Sequence, residues 1–169
     1  MILNGITIRP IEPRDSIEEL TALLHRSYAP LGALGLNYTA VDQSTEVTRS
    51  RIGEGLCLVA AAADNRICGT VLFHRSLKDS GTPWLDRPDV AHFGQFAVEP
   101  GLQKLGLGAR LMDTVEARAR ALNAAEIALD TAEPAAHLIA WYSRRGYRFI
   151  EYAQWRGKKY RSVIMSKTL

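Results

Sequence analysis

The chain has 169 residues, 47% apolar and 23% charged, which suits one soluble globular domain spanning 1–169. No run approaches the ~20 apolar residues of a membrane span, so no membrane partner is expected. The formal charge of +3 is uneven: residues 1–90 hold 9 basic and 11 acidic side chains, and residues 91–169 hold 12 and 7. The basic second half suits an anionic ligand. Its cations form no stripe interleaved with aromatics, so nucleic acid is not expected. Met1–Gly5 lacks the basic start and apolar core of a signal peptide, which makes a cytoplasmic location the expectation. Cys57 and Cys68 have neither CxxC nor zinc spacing and read as buried free thiols, and no metal site is expected.

The first strand is Gly5–Pro10, alternating and closed by proline. A first helix follows, opened near Pro13 to Ser16, with Ile17, Leu20, Leu23 and Leu24 as its apolar stripe and an end near Ser27. Residues 28–38 are apolar, aromatic and glycine-rich without a period, and read as a loop packed over a cavity. Thr39 to Ile52 predicts a second helix. Leu56–Ala62 and Ile67–Phe73 predict a central hairpin turning at Asp64-Asn65, with Cys57 opposite Leu72 and Cys68 opposite Ala61. Lys78–Pro88 is a loop, and Val90–Val98 is the fourth strand.

A third helix starts near Leu105, with Leu107, Leu111, Val115 and Ala119 along one face. Ile127–Asp130 is a short buried strand. Glu133-Pro134 opens a fourth helix, which stops at Gly146. Tyr147–Trp155 and Arg161–Lys167 are the last two strands, joined by the turn Arg156–Lys159. The whole predicts an α/β (α+β) fold: one mixed, largely antiparallel seven-stranded sheet flanked by about four helices.

The chemistry is concentrated in Val98–Arg110. A strand runs into a loop with three glycines and then into a helix, so unpaired N–H groups meet the positive end of a helix dipole. That arrangement binds phosphate. The stretch is not a Walker A loop, because Gly101-x4-Gly106 is followed by Leu107 and Gly108 and not by Lys-Ser/Thr. It is not a dinucleotide fingerprint, because Leu111 stands where the third glycine belongs and the motif follows the fourth strand.

The pattern that fits is Q-x-x-G-x-G, Gln103 to Gly108, with Trp141-Tyr142 and then Gly146-Tyr147 further on. At these residues the chain resembles the GCN5-related N-acetyltransferase (GNAT) superfamily. The resemblance implies a direct transfer of acetyl from acetyl-CoA to a primary amine, with the cofactor between splayed fourth and fifth strands. It implies that Gln103, Lys104, Leu105, Gly106, Leu107, Gly108 and Ala109 hold the pyrophosphate. Phe96, Ala97 and Val98 would pair with the pantetheine arm. Tyr142 matches the family's general acid, a phenol able to protonate the leaving thiolate.

His92, where some relatives carry Glu or His, is either the general base or a histidine satisfied at the start of its strand. Glu99 is a second candidate base, lying beyond the strand. Tyr28, Leu31, Tyr38 and Gln95 are the candidate acceptor-pocket residues. The asparagine that relatives often carry seven residues before the tyrosine is Ala135 here. Arg144 and Arg145 either reach the CoA phosphates or complement the end of their helix. The acceptor is a small-molecule or protein amine, and family members frequently form homodimers. The rival reading is a non-catalytic acyl-CoA-binding module of the same fold.

Overall fold

A computed structural model describes residues 3–169, so Met1 and Ile2, part of the stretch read for a signal peptide, lie outside the described residues. The strands are β1 (Thr7–Pro10), β2 (Leu56–Ala61), β3 (Ile67–His74), β4 (Val90–Val98), β5 (Glu126–Ala132), β6 (Arg148–Ala153) and β7 (Ser162–Thr168). The helices are α1 (Ile17–Ala33), α2 (Thr39–Asp42), α3 (Thr45–Ile52), α4 (Leu107–Ala121) and α5 (Ala136–Arg144). One seven-stranded sheet runs in the order β1-β2-β3-β4-β5-β7-β6. Every neighbouring pair is antiparallel except β4 with β5. No helix among the described residues is long and apolar enough to cross a membrane.

The central strands are apolar on both faces because each face is covered. In β2, Cys57 and Val59 join Leu20 and Leu23 of α1 in one cluster. Their alternates Leu58 and Ala60 join Leu107, Leu111 and Met112 of α4 on the other face. The period of two in the strand meets the helical stripe on each side. Each fully buried leucine of that stripe contributes roughly 1.5–3 kcal/mol relative to exposure.

Three expectations are corrected. The first helix runs six residues past Ser27, through Pro30 to Ala33. Proline costs a helix interior ~3 kcal/mol. Here the extra turns pack Tyr28 and Leu31 with Tyr38, Ala132, Ala135 and Tyr160, and that burial outweighs the break. The helix expected over 39–52 is two, because Gln43 is extended (ψ 143°) and Ser44 caps the second, its Oγ accepting from the Val47 N–H at 3.2 Å. Five helices therefore flank the sheet. The hairpin turns through Asn65 in the left-handed region (φ 66°), with the Ala62 N–H donating to the Arg66 carbonyl. Cys57 does face Leu72, but a bulge at Ala60/Ala61 puts Ile67, not Cys68, opposite Ala61. Both thiols are buried and free.

The feature that makes a site is the parting of β4 from β5. Only Val90, Ala91 and His92 pair with β5, opposite Glu126, Ile127 and Ala128. Beyond His92 the two strands diverge, and β4 presents an unpaired edge. β4 also carries a bulge: Thr70 faces Ala97 while Leu72 faces Gly94, so Gln95 and Phe96 have no partner in β3. Gln95 adopts φ 48° to make it.

Candidate active site

The fork between β4 and β5 opens into a cavity of about 750 Å³. It is lined at one end by Gln103, Lys104, Gly108, Trp141 and Arg144. Towards the other end come Arg51, Leu85, Asp130, Trp155, Lys158 and Tyr160. Among the residues singled out from the sequence, Tyr28, Leu31, Tyr38, His92, Gln95, Phe96, Ala97, Val98 and Tyr142 line it as well.

At the loop end, the backbone N–H groups of the six residues Lys104 to Ala109 have no hydrogen-bond partner among the described residues. Gly106 is the N-cap of α4 at φ 96°, a conformation that costs an L-residue about 1–2 kcal/mol. No side chain caps the helix, so its first N–H groups stay available. A Cβ on Gly108 would stand 3.3 Å from Phe96 Cζ and 3.9 Å from Trp141 Cζ2, where those rings stack at 5.9 Å. Gln103 acts on the strand: its Nε2 donates to the Val98 carbonyl at 3.2 Å and fixes how the loop leaves β4. Leu107 turns its side chain into the core, and Leu105 is exposed. Gly106, Leu107 and Ala109 therefore offer main chain, not side chains, to a ligand here. Lys104 and Arg144 make no ion pair among the described residues, whereas Arg145 is engaged by Asp113 at 2.6 Å.

At the fork, Tyr142 is buried on α5 with its ring against Phe93, Trp141 and Tyr147. Burial, reinforced by the nearby Tyr28, Tyr38 and Asp130, pushes its phenol well above the usual range. It stays protonated at any ordinary pH. His92 is the last β4 residue before the strands part. Its Nε2 lies 3.1 Å from Asp130 Oδ1, and its Nδ1 is buried without a partner among the described residues. Asp130 Oδ2 accepts from Trp155 Nε1 at 3.0 Å. Burial alone would raise this carboxyl, but His92 and Trp155 hold it below the usual carboxylate range. Glu99 is instead paired with Arg26 at 2.7 Å.

The end of the cavity away from the loop is walled by aromatics. Tyr38 stands 5.5 Å from Tyr28 and 5.2 Å from Tyr160. The Tyr38 hydroxyl is fixed by Thr131 Oγ1 and the Ala132 N–H, both at 2.9 Å. Gln95 is held through its Oε1 by Gln43 Nε2 at 3.1 Å, and Gln43 Oε1 in turn accepts from Arg51 at 2.8 Å. Asp130, Arg51, Trp155, Lys158 and Tyr160 were not singled out from the sequence. A carboxylate ending the apolar run Ile127–Leu129 was the one signal available for Asp130.

His74 sits beside this cluster, 5.8 Å from the His92 ring. Burial, then His92 and Arg51, hold its imidazole down to about 4. The folded chain keeps it neutral where the unfolded chain, with a histidine pKa of ~6.5, binds a proton. Stability is therefore full above about pH 6.5 and falls as pH drops towards 4. The loss is on the order of 1–2 kcal/mol, discounted for the solvent that still reaches the ring. Urea titrations across that window should show it, and His74→Gln should flatten that part of the profile. An equal slope in the variant would assign the loss elsewhere.

A model of the Acetyltransferase (GNAT) family matches residues 18–147. The chain is 32% identical to S-(2-succino)cysteine N-acetyltransferase of Bacillus subtilis (strain 168) over 158 residues, 90% of each chain. Among solved structures it resembles PH1933 from Pyrococcus horikoshii OT3, with TM-score 0.76, 18% identity, and 97% and 98% of the two chains covered. It also resembles a GNAT family acetyltransferase from Elizabethkingia anophelis with acetyl-CoA bound, with TM-score 0.68, 18% identity, and 98% and 99% covered. The chain belongs to the GNAT family of acetyltransferases. It is an acetyl-CoA-dependent N-acyltransferase, and the group it modifies is an amine.

Proposed function

We propose that the chain moves an acetyl group from acetyl-CoA directly to the amine of a small amino acid. The observation that carries this is the convergence of four features in one cavity: the row of free N–H groups, the open edge of β4, Tyr142, and the His92–Asp130 pair. The N–H groups of Lys104–Ala109 take the pyrophosphate, with Lys104 and Arg144 adding positive charge. The pantetheine arm adds to the edge of β4 along Phe96–Val98 as an extra strand. That route delivers the thioester to the fork.

There the amine nitrogen attacks the thioester carbon, and the C–S bond breaks as the amide C–N bond forms. His92 Nδ1 takes the amine's proton. Tyr142 gives its own to the departing sulfur, releasing CoA as the thiol. Neither cysteine is needed as a nucleophile, since both are buried and burial raises each thiol.

A small acceptor is supported by the aromatic lining of this end, from Tyr28, Tyr38, Tyr160 and Trp155. The acceptor named for the 32%-identical relative is itself an amino acid. A cytoplasmic location is consistent with the use of acetyl-CoA. The test is CoA release with a panel of amino acids and polyamines, with mass spectrometry of the product. An N-acetyl amino acid is expected. Tight acetyl-CoA binding with no turnover on any amine would favour the non-catalytic module instead.

A further inference from the structure

We propose that Arg51 and Lys158 form a carboxylate clamp at the acceptor end of the cavity, so that the acceptor is an amino acid with one or more side-chain carboxylates. This rests on the acetyl-transfer reading of the same site. It starts from the placing of charge. Arg9, Arg26, Arg87, Arg145, Arg148 and Arg161 each hold a carboxylate within 4.0 Å. Arg51 and Lys158, both half-buried and both lining the cavity, hold none among the described residues.

Each is nonetheless positioned. Arg51 leaves α3 and donates through Nη1 to Gln43 Oε1 at 2.8 Å, and Gln43 leads to Gln95 in the β4 bulge. Lys158 leaves the β6–β7 turn and donates to the Asn37 carbonyl at 2.8 Å and Thr39 Oγ1 at 2.9 Å. All these partners are neutral, so neither head has a carboxylate in direct contact, and each has donors to spare. The two feel one another: burial and then Arg51 depress the Lys158 ammonium, against the pull of Asp42 and Asp130. Asp130 acts on both through space but makes no ion pair with either, its two oxygens being engaged by His92 and Trp155. Two half-buried cations lining one cavity repel one another, and a ligand carboxylate would relieve that repulsion.

The geometry suits a substrate with opposite ends. Its amine meets the His92–Asp130 pair, while a carboxylate meets the guanidinium, which binds such groups with paired N–H donors. Leu77, Leu85, Trp155 and Tyr160 supply apolar wall for the linking atoms. S-(2-succino)cysteine, the acceptor named for the B. subtilis relative, has this design: an amino acid whose sulfur carries a succinate. A polyamine would bring positive charge against both cations.

The test compares S-(2-succino)cysteine with S-methylcysteine. The wild-type kcat/KM should favour the first at least about tenfold, and Arg51→Met or Lys158→Met should reduce that ratio by about tenfold, with Arg51→Lys retaining part of it. Melting curves establish that each variant is folded. Calorimetric titration of S-(2-succino)cysteine into the CoA-loaded protein reads the clamp without turnover. Binding lost in both Met variants supports the clamp even if no acetyl transfer is seen, in which case the transfer reading alone falls. Turnover with no preference between the two acceptors, or a ratio unmoved by either Met variant, overturns the clamp and leaves the transfer reading standing. Neither binding nor turnover in the wild type overturns both.

Discussion

Tyr142→Phe is expected to lower kcat about a hundredfold, with acetyl-CoA affinity close to that of the parent. The substitution removes one oxygen and keeps the ring. That ring packs against Phe93, Trp141 and Tyr147, so the fork keeps its shape. What is lost is a proton donor. Burial, reinforced by the nearby Tyr28, Tyr38 and Asp130, holds the phenol protonated. The same surroundings that exclude Tyr142 as a base suit it as an acid, because a thiolate forming inside a buried site is itself poorly solvated and takes a proton readily. The effect should therefore fall on the chemical step and leave the proposed donor site, the free N–H groups of Lys104–Ala109, untouched. Single-turnover acetyl transfer and calorimetric binding of acetyl-CoA separate the two. A variant with parental kcat would remove Tyr142 from the acid role and leave it a core aromatic.

The loop end of the cavity was legible because it is local. Strand, loop and helix stand in one stretch, and Gln103, Gly106 and Gly108 fix its shape through short-range geometry. The element order was legible for the same reason, since strand and helix periods are properties of short windows. The opposite end was not. Arg51, Asp130, Trp155 and Lys158 come from α3, β5 and the β6–β7 connection, and only packing brings them to one cavity. Lys158 in sequence is one of two lysines in an ordinary turn. The path of α1 through Pro30 was hidden for a related reason. Local propensity ends the helix there, and contacts with Ala132, Ala135 and Tyr160, about a hundred residues on, carry it past.

His92→Asn is expected to lower kcat/KM about a hundredfold near neutral pH, and the deficit should shrink as pH rises. With Nε2 committed to Asp130, the proton of a neutral ring sits on Nε2 and the lone pair on Nδ1, the atom left without a partner. In the proposed reaction that nitrogen takes the proton from the amine. Asparagine keeps a polar atom near the same place but no basicity. The variant must then wait for acceptors that have already lost their proton in solution, which become common only towards the amine's own pKa. Asp130→Asn should cost a comparable amount for a different reason. Trp155 Nε1 donates to Asp130 Oδ2, so an amide at 130 keeps its carbonyl there and turns its NH2 towards His92. Nε2 must then accept, the ring proton moves to Nδ1, and the base is lost with the imidazole still in place. Rate profiles between about pH 6 and 10 for both variants test this. A profile parallel to the parent's for His92→Asn would take His92 out of the proton path. Full activity in Asp130→Asn would show that the tautomer set by Asp130 is not the one used.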